Sequence, residues 1–111
     1  MSSINHISIT GNIARKPELR ATATGNKVLS FTVAVDEARK QADGTYADYA
    51  SFIDCTLFGN RAEALADIVG QGDKVAVQGR LHQSRWDAED GKRSKLEVIA
   101  SDVDLMQRKG A

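Results

Sequence analysis

Ser51-Phe52-Ile53-Asp54-Cys55-Thr56-Leu57-Phe58-Gly59-Asn60 is the stretch on which the fold turns. Side chains of a strand alternate between two faces. Ile53, Cys55 and Leu57 therefore share an apolar face, which is the core face. Phe52, Asp54, Thr56 and Phe58 share the other, where large rings alternate with polar groups. Either another layer of protein covers those rings or they form a platform for a flat ligand.

The segments on either side supply the frame. Immediately after the stretch, Asn60 has the chemistry of a helix N-cap, with Glu63 three residues on. Ala62, Leu65, Ala66 and Val69 follow at helical spacing, and Gly70 and Gly72 end a helix of about three turns. Such a short helix suits a plug at one end of a curved sheet. Before the stretch, Val28 to Asp36 is the clearest strand, with Leu29, Phe31, Val33 and Val35 inward. The polar segment Glu37 to Ala47 reads as a long hairpin loop carrying Arg39 and Lys40, and Tyr49 falls on the inward parity.

At the N-terminus, Asn5 to Thr10 reads as a strand with Ile7 and Ile9 inward, and Gly11-Asn12 permits a turn or bulge. Ile13 to Pro17 reads as a basic connector, and Glu18 to Thr24 as a short extended segment closed by Gly25-Asn26. On the C-terminal side, Lys74 to His82 is a strand with Val75, Val77, Gly79 and Leu81 inward. Its other parity, carried onward, aligns Arg80, Ser84 and Trp86. Asp87 to Gly91 reads as a turn and Lys92 to Met106 as a long returning strand. The apolar parity of that strand shifts between Leu96, Val98, Ala100 and the pair Val103, Leu105, so a bulge is expected near Ser101-Asp102.

Three strands, one helix and two strands is the element order of an OB-fold, a five-stranded Greek-key β-barrel. The expected class is all-β with one short α-helix. Residues 1–107 form the single domain and 108–111 a short C-terminal end.

Composition excludes more than it assigns. A chain of 111 residues has room for one core. Lys plus Arg and Asp plus Glu each number 15, so any claim of an anionic partner must rest on where the charges sit. The run from Arg15 to Lys27 holds four bases against Glu18, and Arg80 to Lys95 holds five against Asp87, Glu89 and Asp90. Cys55 is the single cysteine, which rules out an intrachain disulfide and fits a reducing compartment and a buried thiol. No apolar run approaches the roughly 20 residues of a membrane helix, and no leader pattern opens the chain, so a cytoplasmic location is expected.

No catalytic, cofactor or metal constellation emerges. His6 and His82 lack neighbours at ligand spacing, and Gly70-Gln71-Gly72 follows a helix instead of opening one. Asp87, Glu89 and Asp90 lack the spacing of a calcium loop. What remains is a surface of Phe52, Phe58 and Trp86 with Arg20, Arg39, Arg80, Arg85, Arg93 and Lys95 nearby. Aromatic rings interleaved with cations bind single strands, because every base has a π-face and every nucleotide a phosphate. A protein-interaction or primosome-assembly module would use the same rings as a protein interface.

Six further segments bear on the choice: Asn5 to Asn12, Pro17 to Arg20, Phe31 to Ala34, Leu57-Phe58-Gly59, Gly72 to Leu81, and Trp86. In this order and spacing the chain resembles the DNA-binding domain of the bacterial single-stranded DNA-binding protein family. The resemblance implies an OB-fold, cooperative binding without sequence preference, and a homotetramer around which the DNA wraps. It implies stacking at Phe52, Phe58 and Trp86, and phosphate contacts at Arg20 and Arg93. Where many members place a stacking Trp after the second strand, this chain has Arg39. Members that recruit replication and repair proteins end in a flexible tail with an acidic tip. This chain stops at Arg108-Lys109-Gly110-Ala111, so recruitment through such a tip is not expected.

Overall fold

Leu29, Phe31 and Val33 point to one side of a long strand and are almost completely buried, as their alternation requires. A computed structural model describes residues 3–110. Its strands are β1 (Ile7–Ile13), β2 (Glu18–Ala21), β3 (Lys27–Lys40), β4 (Tyr46–Phe58), β5 (Lys74–Ala88) and β6 (Gly91–Gln107), with helix α1 (Asn60–Ala66) between β4 and β5. The sheet order is β1-β5-β6-β4-β3-β2, and an additional β1–β3 pairing closes five of these strands into a barrel. The parallel pairing of β4 with β6, through Cys55–Val98 and Leu57–Ala100, completes the OB-fold topology.

Closure depends on β1 serving two neighbours. Ile7 to Asn12 pair with β5, and Asn12 and Ile13 then pair with Ala34 and Val33 of β3. Gly11-Asn12, read as permitting a turn or bulge, makes neither, and the strand continues to Ile13. A Cβ on Gly11 would lie 2.3 Å from the Ala34 carbonyl oxygen, so the glycine permits a close crossing of two backbones. Ile13, assigned by its basic neighbours to a connector, is core, 2% exposed.

The core parity of β4 is as read: Cys55 and Leu57 are buried and Ile53 packs against them. Helix α1 plugs one barrel end with Ala62 and Leu65, and Val69 follows in the same cluster. Its N-cap is Gly59, at φ 96°, and no side chain caps it. Asn60 is the first helical residue instead, because the positive φ needed to leave β4 falls one residue earlier, on a glycine. With 7 residues the helix is shorter than expected. The bulge is found where the parity shift puts it: Gln78 pairs with Asp102 and Gly79 with Ala100, leaving Ser101 as the extra residue.

Two hairpins run beyond the barrel. The β3–β4 ladder continues to the Lys40–Tyr46 pair, so the polar loop contracts to the few residues after Lys40. Asp43 closes that turn by accepting from the Thr45 N–H and hydroxyl. Similarly, β5 and β6 remain paired to Ala88–Gly91. In both arms the backbone ladder is satisfied while both faces meet water, so apolar alternation fades without the strand ending. The arms raise the radius of gyration to 16.1 Å, against about 13 Å for a compact domain of some 100 residues. Beyond β6, the Lys109 N–H donates to Asp73 (2.8 Å) and Arg108 donates to the Ile68 carbonyl (3.2 Å), tying this end to the connection after α1.

Candidate nucleic-acid interface

On the outward face of β4, Phe52 is 66% and Phe58 53% exposed. Between them Asp54 and Thr56 stand opposite Thr32 and Ser30 of β3. On the other flank of β4 come Lys95 and Glu97 of β6, on the same outward parity because Val98 pairs inward with Cys55. Two short chains of polar contacts knit the four strands. Thr32 donates to Asp54 (2.9 Å), whose second oxygen meets the Lys95 ammonium (3.2 Å). Thr56 and Ser84 donate to the two oxygens of Glu97 (3.1 and 3.2 Å).

Above this floor lies a groove of about 290 Å³, rimmed by Arg15, Lys16 and Arg20 and reached by Lys95. The two basic stretches, far apart in sequence, thus meet across β3 and β4. Burial alone pushes the Asp54 carboxyl up, but the Thr32 hydroxyl and the Lys95 ammonium outweigh it and hold the group below the usual carboxylate range. Burial, reinforced by the charges of Asp54 and Glu97, pushes the Cys55 thiol up to about 12. It is therefore neutral at pH 7 and fills core space.

Trp86 stands on the β5–β6 arm opposite Arg93 and is 48% exposed. It shares its face with Ser84 and Lys95, so the arm continues the surface that bears the groove. A second hollow of about 450 Å³ lies beside it, lined by Gln83, Arg85, Asp87, Lys92, Arg93 and Ser94.

The structure brings some of the cations expected from sequence to these rings and leaves others apart. Arg20 sits at the groove and donates to the Ser30 hydroxyl (3.1 Å). Lys95 sits there too, paired with Asp54. Arg93 borders Trp86 and pairs with Asp90 across the arm's turn. Arg85 lines the same hollow from the opposite strand parity and donates to Gln83 (2.6 Å). Arg80 is on the outward parity, yet it lines a separate hollow with Asn5, His6 and Ser101. Arg39 lies on the β3–β4 arm with its guanidinium 4.5 Å above the Tyr49 ring.

Three inward expectations fail for one reason. Tyr49, Leu81 and Leu96 hold the core parity, but they lie where the strands have left the barrel, and all are exposed. Tyr46 escaped notice altogether. It is exposed at the tip of the β3–β4 arm, across from Lys40. Carrying the parity of Phe52 back through Ala50 and Asp48 would have found it. Among the described residues no group of His, Cys, Asp and Glu is arranged to hold a metal ion. No described helix is long and apolar enough to cross a membrane.

Residues 4–106 match the Single-strand binding protein family. The chain is 36% identical over 106 residues to the single-stranded DNA-binding protein of Treponema pallidum, covering 96% of this chain and 60% of that protein. It is also 36% identical over 112 residues to the single-stranded DNA-binding protein of Thermotoga maritima, covering 100% of this chain and 79% of that one. A crystal structure of a deletion mutant of the single-stranded DNA binding protein from Thermus aquaticus superposes with a TM-score of 0.84 at 25% identity, over 96% of this chain and 52% of that chain. The Plasmodium falciparum SSB complex with ssDNA superposes with a TM-score of 0.86 at 23% identity, over 96% of this chain and 98% of that chain, a likeness of fold. The chain thus spans between about half and four-fifths of the length of these bacterial relatives. Since the match extends from the residues before β1 almost to the end of β6, this chain belongs to the Single-strand binding protein family.

Proposed function

We propose that the chain binds single-stranded DNA without reading a defined sequence, and protects unpaired strands during replication, recombination or repair. The role is binding, not catalysis. The observation that carries this reading is the pair of exposed rings, Phe52 and Phe58, on one outward strand face beside a groove rimmed by Arg15, Lys16 and Arg20. Phe52, Phe58 and Trp86 stack on bases, at about 1–3 kcal/mol for each base. Arg20, Arg93 and Lys95 take phosphates next to those rings. Arg39, Arg80 and Arg85 meet the strand where it runs beyond the groove onto the arms and the barrel side. A duplex hides its base faces, so unpaired strands are preferred.

The assembly is proposed as a homotetramer that the strand wraps, acting in the bacterial cytoplasm on the nucleoid. Support for association comes from apolar side chains that one chain leaves uncovered: Ile4, Leu81, Leu96 and Met106. Light scattering with and without oligo-dT measures the assembly directly.

Trp86 is the only tryptophan, so its fluorescence reports binding. Titration with oligo-dT should quench it, and added salt should weaken binding with a log–log slope of about −0.7 for each phosphate contact. Absence of quenching at low salt, or equal affinity for duplex, would overturn the reading. Phe58→Ala separates it from a protein-interaction module. Loss of affinity with the oligomer intact supports the DNA role, whereas dissociation of the oligomer supports the interface role.

A further inference from the structure

The groove has Arg15, Lys16 and Arg20 beside Glu18 at its rim, while its floor carries the carboxylates of Asp54 and Glu97 with Lys95 paired to Asp54. Asp54 stands two residues from Phe52 on the same face of β4, and such neighbours are about 7 Å apart. A base stacked on Phe52 would lie with its edge within reach of the Asp54 carboxylate. One Asp54 oxygen accepts from Thr32 and the other meets Lys95, and each oxygen keeps room for a further donor. The group is half-exposed and ionised at neutral pH, so it only accepts. Glu97, engaged by Thr56 and Ser84, adds a second negative charge to the floor. A phosphate is disfavoured beside these carboxylates except at Lys95 and is better placed at Arg15, Lys16 and Arg20, which would leave base edges to meet the carboxylates.

Thymine alone among the four bases has no exocyclic amino group. It offers one N3–H flanked by two carbonyl oxygens, whereas the amino group of cytosine is a donor that carboxylates accept well. We infer that Asp54 biases the site beside Phe52 toward bases carrying an amino group and against thymine. This inference rests on the DNA-binding reading above and adds to it a preference in base composition.

The test compares oligo-dC and oligo-dT of equal length at pH 8, where cytosine N3 is unprotonated, using Trp86 fluorescence of the full chain. Asparagine offers both a donor and an acceptor, so Asp54→Asn meets thymine and cytosine alike. Release of Lys95 in that variant strengthens both complexes and cancels in their ratio. The ratio of the dT to the dC dissociation constant should fall by about threefold or more from wild type to Asp54→Asn, and likewise for Asp54→Ser. An unchanged ratio in both variants, with both oligomers still bound, overturns the inference and leaves the DNA-binding reading standing. Failure of the wild-type chain to bind either oligomer overturns both.

Discussion

Val77 and Leu81 lie four residues apart on one face of β5, yet Val77 is 0% and Leu81 42% exposed. The same contrast separates Ile53, packed on the core, from Tyr49 on β4. Inside the barrel the core face of each strand meets the opposite wall. In the arms the same parity meets solvent, because a two-stranded ribbon has no second layer. Alternation thus tells which side chains share a face, and closure of the barrel decides whether that face is buried. The outward rings divide between the two regions: Phe52 and Phe58 stand on the stretch of β4 whose alternate residues are core, and Trp86 stands on an arm.

The sharpest way to break this contrast is to truncate one leucine in each region. Leu29→Ala, in the barrel, should cost about 2–5 kcal/mol by denaturant unfolding. Leu96→Ala, on the arm, should cost less than about 0.5 kcal/mol in the isolated chain. A large, concentration-dependent cost for Leu96→Ala would mean that a second copy covers the arm. Next, Gly79→Ala tests the bulge that joins barrel to arm, since its Cβ would fall 2.2 Å from the Ile99 carbonyl oxygen. Backbone must move, and a loss of about 1–3 kcal/mol is expected.

Phe52→Ala reverses the pattern. Its ring packs on little, so the melting temperature should hold, while affinity for oligo-dT falls by about 1–3 kcal/mol in fluorescence titrations. A drop in stability with affinity intact would make Phe52 a structural residue. The smallest effect concerns the tie between the end of β6 and the barrel. The N–H groups of Lys109 and Gly70 hold the buried Asp73 carboxyl below its ordinary range. A folded value below the unfolded one adds stability above the ordinary range, lost as pH falls through the folded value. The difference in melting temperature between wild type and Asp73→Asn should therefore be full above about pH 5 and shrink below about pH 4. A difference that persists unchanged into acid would assign the effect to packing.

Much of the candidate site was legible before any coordinates. The outward register of Phe52, Phe58 and Trp86 needs only the period of two, and Ser101 could be named as a bulge because the apolar parity breaks beside it. Whereas the β5–β6 arm was read in part, from the turn at Asp87 to Gly91 and the returning strand Lys92 to Met106, the β3–β4 arm was not legible, since a ribbon wetted on both faces leaves little alternation to read. Nor was the pairing of Asp54 with Lys95, which are 41 positions apart in sequence and meet only because β4 and β6 lie side by side in parallel. Arg80 shows the converse limit: it has the right parity, yet it lines another hollow, with Asn5, His6 and Ser101.

By itself the sequence determined most of the barrel strands and their core faces, the single helix, the outward register of Phe52, Phe58 and Trp86, and the family resemblance. Each of these is local, written in periods of two and 3.6 residues and in short motifs. Only the tertiary structure decided that Gly11 is a crossing and Ile13 is core, that Tyr49 and Leu81 are exposed, and that Arg15, Lys16 and Arg20 share one groove with Asp54 and Glu97. Those depend on which strands become neighbours and where the barrel ends, and such long-range contacts leave no periodic mark on the chain.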